Sequence, residues 1–275
     1  MSLKRSRLPP ADQEHDDDPF KEPWTPFTDV LGTELVQVAV GKNSYKKVFH
    51  VHKNILFDKI PYFKELSKNN HKAIEFPNQV PRTFDVLVEW VHTDCLRGIE
   101  MLGGDDQGFV QYRSWDPVCL YQLAAELLLP ELMDRVMEVQ RRFDDLHCAS
   151  YDPDGLKEIY EKTSKNSKFR QYTAEVAAHI VRNNAEEEIL TPDLVSAMEN
   201  KDLAGDYLSI SRRATIKDPR KGSGCRFHMH EKNEKCLAKD HRWEGKATIL
   251  SLEQIKKKRL PPAKRPRLPR SSQES

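Results

Sequence analysis

The sequence has little of what would place it in a membrane, outside a cell or in a disulfide framework. No apolar run approaches the roughly twenty residues that a bilayer-spanning helix needs, and Leu127-Leu128-Leu129 is closed at once by Pro130. The opening MSLKRSRLPP has no apolar core of a signal peptide. Cysteine is sparse, odd in number and scattered: Cys95, Cys119, Cys148, Cys225 and Cys236. That pattern excludes a stapled secreted scaffold and fits a reducing compartment. A phosphate-cradling glycine loop is also missing, since Gly103-Gly104-Asp105-Asp106 lacks the lysine and the helix start that such a loop needs. The expectation is an intracellular, soluble chain with no membrane partner.

Charge is what the chain has in abundance. Charged residues make up 32% and the apolar set 38% of 275 residues, more polar than an average globular chain. That length holds one good-sized domain with extensions, or two small domains. The formal net charge of +1 hides an acidic stretch from Asp12 to Glu22 and a basic one from Lys256 to Arg270. Residues 1–23 have almost nothing to bury and read as a disordered tail.

The stretch from Glu34 to Phe63 organises the rest. In Leu35–Val40 the valines Val36, Val38 and Val40 share one face, the period-two pattern of a strand. Gly41-Lys42-Asn43-Ser44 supplies turn residues, and Val48 to His52 resumes the alternation, so the pair predicts a hairpin. Asn54 is placed to cap a short helix with Ile55, Leu56 and Ile60 inward, and Pro61 to end it and start the next. Ala73 to Pro77 predicts a third strand with Ile74 and Phe76 on one face. Arg82 to Thr93 carries Phe84, Leu87, Val88 and Val91 at helical spacing. Cys95 to Tyr112 reads as an extended loop with short strands.

Farther along, Asp116 and Pro117 form a cap and first turn for a helix that is apolar on most sides, Leu127-Leu128 included, and therefore central. Pro130 begins another, with Leu132, Val136, Val139 and Phe143 repeating at helical intervals. Gly155 to Val181 holds a second helical module, residues 186–215 a weaker helical tail, and Lys217 to Gly224 a linker by composition.

The residues VGKNSYKKVFHVHKNIL, followed by PYFKEL, resemble the opening of the BTB/POZ family. The helix ending Glu89-Trp90-Val91-His92 and the hairpin LYQLAAELLLPELMDRVMEVQ are similar to later parts of that fold. Ile159-Tyr160-Glu161-Lys162-Thr163 with Phe169-Arg170 resembles the region after the domain in fungal members. Two positions depart from the family pattern: Glu34 stands where an aspartate is usual, and Ile60 where a serine is usual. The resemblance implies an α+β fold, a small mixed sheet flanked by a helical cluster. Composition sets a Cys/His segment at 216–245 and a basic disordered tail at 246–275, and the resemblance places a BTB/POZ domain at 30–145 with a helical extension at 150–215. It further implies a non-enzymatic scaffold that binds protein partners or a second copy, through the first helix with Trp24–Thr33. The alternative is a substrate adaptor with a cullin as partner, for which Ile99-Glu100 only approaches the binding signature.

Candidate chemistry is confined to few residues. His50 and His52 share a strand face but have no third ligand nearby, so they read as structural. His92 and Cys95, three apart, lack an oxyanion loop and do not read as a catalytic dyad. The sharpest cluster is Cys225-x2-His228-x-His230-x5-Cys236, a sufficient tetrahedral set for zinc, with His241 able to replace one ligand. The competing reading is a strand with two exposed histidines and two unrelated thiols. In the terminal block, Lys256, Lys257, Lys258 and Arg259, then Lys264, Arg265 and Arg267, suit the acidic grooves of a nuclear import receptor. No aromatic residue interleaves them to stack on bases, so no sequence-specific reading of nucleic acid is expected. The expected location is the nucleus, with the cytoplasm as a second site.

Overall fold

The computed structural model describes residues 26–68, 74–102, 111–112, 114–147, 151–183, 191–222, 224–231, 233–236 and 248–250. The acidic stretch, Trp24, the Gly103–Asp106 run, Cys148, His241 and both basic clusters lie outside these residues. A short helix α1 (Phe27–Leu31) leads into β1 (Leu35–Val40) and, past one turn of 3-10 helix, β2 (Lys47–His52). These strands pair antiparallel in the expected hairpin, with Val38 opposite Phe49 and Val36 opposite Val51. The reversal depends on Gly41. Its φ is +87°, and a side chain there would meet the Tyr45 carbonyl oxygen at 2.9 Å.

Helices α2 (Lys53–Lys59) and α3 (Pro61–Lys68) then carry the chain to β3 (Ile74–Phe76), which lies parallel to β1 on the side away from β2. The result is a small mixed sheet, as expected for an α+β domain. The helix cap was misplaced: α2 starts one residue before Asn54, after His52, with no side-chain cap. The backbone explains this, because the Lys53 N–H donates to the Glu34 carbonyl at 2.9 Å and extends the strand pairing into the first helical turn. Asn54 instead lies against Gly32, where a Cβ would come within 2.5 Å of its amide nitrogen, so α1 sits close on α2. Both departures from the family pattern are absorbed. Glu34 reaches Lys53 Nζ at 2.6 Å, and Ile60 is fully buried.

Helix α4 (Pro81–Thr93) follows, with the Phe84 ring packed tilted or edge-on against Phe49, Phe63 and Phe76. It ends at Asp94, a left-handed residue of φ +57° that binds Lys59 at 2.5 Å and Arg135 at 2.9 Å. Next come β4 (Glu100–Leu102) and β5 (Gln111–Tyr112), an antiparallel pair. Then α5 (Pro117–Glu126) begins as expected, with the Asp116 carboxylate accepting from the N–H groups of Val118 and Cys119. Leu128 corrects the reading of α5 as apolar to its end. It lies past the helix, at φ +58° and 79% exposed, because the chain must turn there for α6 (Pro130–His147) to return.

Helices α7 (Pro153–Lys162), α8 (Lys168–Asn183), α9 (Thr191–Ala197) and α10 (Lys201–Ser211) follow. The Tyr-x-x-Thr and Phe-Arg elements noted in the sequence meet here. The Arg170 guanidinium donates to the carbonyls of Tyr160 and Thr163, closing the end of α7, and pairs with Asp202 at 3.2 Å. Apolar side chains from β1 to α10, together with Phe227, form one connected core. No described helix is long and apolar enough to cross a membrane.

Two expectations about the C-terminal third do not hold. Residues 217–222 are a fixed strap rather than a linker. Also, Thr248–Leu250 forms a strand, β6, parallel to β4, where a structureless tail was expected. Polar partners hold the strap, which glycine and proline content does not report.

Asp144 at the inner end of α6 accepts from Tyr172 OH at 2.7 Å, Tyr151 OH at 2.8 Å and Gln140 Nε2 at 2.7 Å. Burial nevertheless pushes its carboxyl up to about 7. An unfolded aspartate titrates near pH 4, as expected for about 3.9. The folded chain therefore binds this proton more tightly, and the group's contribution to stability falls as pH rises through about 7. Urea midpoints measured from about pH 5 to about pH 8 should fall accordingly, and Asp144→Asn should flatten that share of the slope.

Candidate functional site

Helix α6 positions the site. Its apolar residues Leu132, Val136, Val139 and Phe143 face the core. At 3.6 residues per turn, Asp134, Glu138 and Arg141 fall on the opposite side. That side is also covered. Asp134 and Arg141 are buried and Glu138 is largely so, because the segment from Ile216 to Cys236 runs across them.

Each charge has a definite partner. The Arg141 guanidinium donates to the carbonyls of Gly222 at 2.7 Å, Gly224 at 3.2 Å and Pro219 at 3.4 Å, and binds Glu138 at 2.7 Å. Asp134 accepts from the backbone N–H groups of Met229 and His230, in spite of burial that pushes its carboxyl up. From α8, buried Glu175 holds Arg226 and Arg213, and His179 meets the Ile216 carbonyl at 3.1 Å. Phe227 inserts between these helices, edge-on to Tyr172.

This strap brings the four predicted ligands together. The nearest donor atoms of Cys225, His228, His230 and Cys236 all lie within 4.8 Å of one another. His228 Nδ1 stands 3.3 Å from His230 Nε2 and 3.3 Å from Cys236 Sγ. The outer nitrogens are also fixed. His228 Nε2 is 3.0 Å from Glu138 Oε1, and His230 Nδ1 is 2.8 Å from the Glu231 carbonyl. Burial pushes the Glu138 carboxyl up, but His228 and Arg141 outweigh it and hold it below its usual range. The segment forms no strand, and His228 is buried, so the reading with two exposed histidines on one strand face is excluded.

The other candidates are not gathered into a site. His52 Nδ1 meets His92 Nε2 at 3.3 Å, while His92 Nδ1 is turned to the Val88 carbonyl, and His50 is exposed. Cys119 lies between Asp116 and Lys162, and its thiol is pushed up to about 12 by burial and by Asp116, so it is a poor nucleophile.

Comparison with known proteins bears on the other end of the molecule. The family model of the BTB/POZ domain matches residues 35–100, the span from β1 through α4 to the start of β4. The chain carries a BTB/POZ domain. No curated protein matches the chain. A BTB/POZ domain is a protein–protein interaction module and is not typically catalytic, so its functional surface is a face that meets other proteins. At the entrance of this BTB domain, α1 turns Phe27 (67% exposed) and Val30 (48% exposed) to solvent, one helical turn apart.

Sequence reasoning missed Asp134, Glu138 and Arg141, which look like the solvated face of an amphipathic helix. The available signal was a row of opposite charges at i, i+4 and i+7 on that face. Arg141→Met retains the apolar stem and removes the guanidinium. It should cost about 3 kcal/mol and expose the 216–222 amides to hydrogen exchange, measurable by mass spectrometry on the intact chain.

Proposed function

We propose that this protein is a nuclear interaction scaffold that self-associates through its BTB domain. The observation that carries the reading is α1, whose Phe27 and Val30 leave an apolar face uncovered beside a helix, α2, on which α1 is closely seated. A two-fold arrangement buries such a face against its own copy, because one patch then serves both partners. Lys256–Arg259 and Lys264–Arg267 support import into the nucleus, being two short basic clusters in a proline-containing segment.

A second reading, a substrate adaptor of a cullin-type ubiquitin ligase, draws on α7 resting against α5 and on Phe169 of α8 meeting Tyr121 edge-on at 5.2 Å. Those contacts pack the helical extension against the BTB domain, where it would extend a cullin-binding groove. Calorimetric titration with a cullin N-terminal domain separates the readings: micromolar or tighter binding favours the adaptor.

Sedimentation equilibrium should show a dimer of the full chain. Phe27→Asp with Val30→Asp should shift it to monomer, weakening association at least tenfold, with an unchanged circular-dichroism spectrum. A chain that is monomeric at high concentration overturns self-association. In cells, deletion of residues 256–270 should abolish nuclear enrichment, and unchanged enrichment overturns the import reading.

A further inference from the structure

We propose that Cys225, His228, His230 and Cys236 bind one zinc ion, and that this ion clasps the C-terminal strap to helix α6 of the BTB domain. The argument begins with the protons. The Glu231 carbonyl can only accept, so His230 carries its proton on Nδ1. The Glu138 carboxylate likewise accepts, so His228 carries its proton on Nε2. With those outer nitrogens engaged, the inner ones, His228 Nδ1 and His230 Nε2, face each other at 3.3 Å. Cys236 Sγ approaches the same His228 nitrogen at 3.3 Å. Two ring nitrogens and a sulfur converging at that distance, with one ring buried, form the donor set of a single cation. A proton shared by the rings would answer the ring-to-ring contact alone. A metal answers all four.

The spacing and the chemistry select the metal. Tetrahedral zinc, with bonds of about 2.0 to 2.3 Å, separates its ligand atoms by about 3.3 to 3.8 Å. The two contacts to His228 Nδ1 stand at the start of that range, and the full set lies within 4.8 Å. Two thiolates balance the charge of the ion, and a set of two sulfurs and two imidazoles excludes magnesium and calcium in favour of a soft tetrahedral metal. The second layer is already built. The Glu138–His228 pair fixes the ring and its tautomer, as the carboxylate behind a zinc-bound histidine does, and Asp134 accepts from the successive backbone N–H groups of Met229 and His230. Glu138 and Asp134 both belong to α6, so metal occupancy and strap docking are one event.

The test uses the full chain without a histidine tag. Plasma mass spectrometry should find one zinc per chain. Exchange into cobalt should give the intense visible bands of a tetrahedral ion with a thiolate charge-transfer band, and added zinc should erase both. Glu138→Gln, a positioning change that leaves all four ligands, should weaken zinc about 10- to 100-fold in competition with a chromophoric chelator. The cobalt spectrum should keep its shape in that variant. In the wild-type chain, chelator should remove hydrogen-exchange protection from residues 224–231. A folded wild-type chain that takes up neither zinc nor cobalt overturns the site. Protection indifferent to chelator in a zinc-loaded chain overturns the clasp. The double variant Cys225→Ser, Cys236→Ser should lose metal while its circular dichroism keeps the BTB helices.

Discussion

A charged helix face that is denied water must be answered by protein groups, and α6 has such a face. Burying Asp134, Glu138, Arg141 and Asp144 without partners would cost several kcal/mol each in lost hydration, far more than the margin by which domains are stable. The segment after α10 supplies those partners: three carbonyls for Arg141, two N–H groups for Asp134 and an imidazole for Glu138. Tyr151 and Tyr172 do the same for Asp144. The strap therefore completes α6, and α6 in turn supports α5 and the BTB core through Leu132, Val136 and Val139.

This dependence explains what was legible in the sequence. The hairpin, its turn and the Asp116 cap were readable because alternation, glycine and a capping aspartate act locally. The four Cys/His residues were readable as one candidate set, and what anchors them was not, since it is set by α6 and α8 some ninety and fifty residues upstream in the sequence, judged from pairs such as His228–Glu138 and Arg226–Glu175. The burial of the charged face of α6 was not legible for the same reason. Periodicity tells that two faces differ, without telling what covers each. The strap passed for a linker because its order comes from distant donors and acceptors. Leu128 passed for core because a left-handed turn residue cannot be told from its apolar neighbours by composition.

The motif after the BTB domain gains a physical meaning in the same way. Tyr160 and Thr163 offer the carbonyls at the end of α7, and Arg170 at the start of α8 is the cation that satisfies them. The residues belong together because one arginine closes one helix and orients the next. Asp202 at the start of α10 joins the same arginine, so three helices meet on one side chain.

Strand β6 changes what the small second sheet offers to other molecules. With β5 on one side and β6 on the other, β4 has both rows of backbone groups occupied by its own chain. A visiting strand would compete with a tethered occupant whose effective concentration is on the order of millimolar. Free partners are seldom so abundant, so the tether acts as a built-in competitor that screens out weak strand-adding ligands. Strand addition beside β4 is thereby reserved for a ligand able to displace β6 or β5 from it.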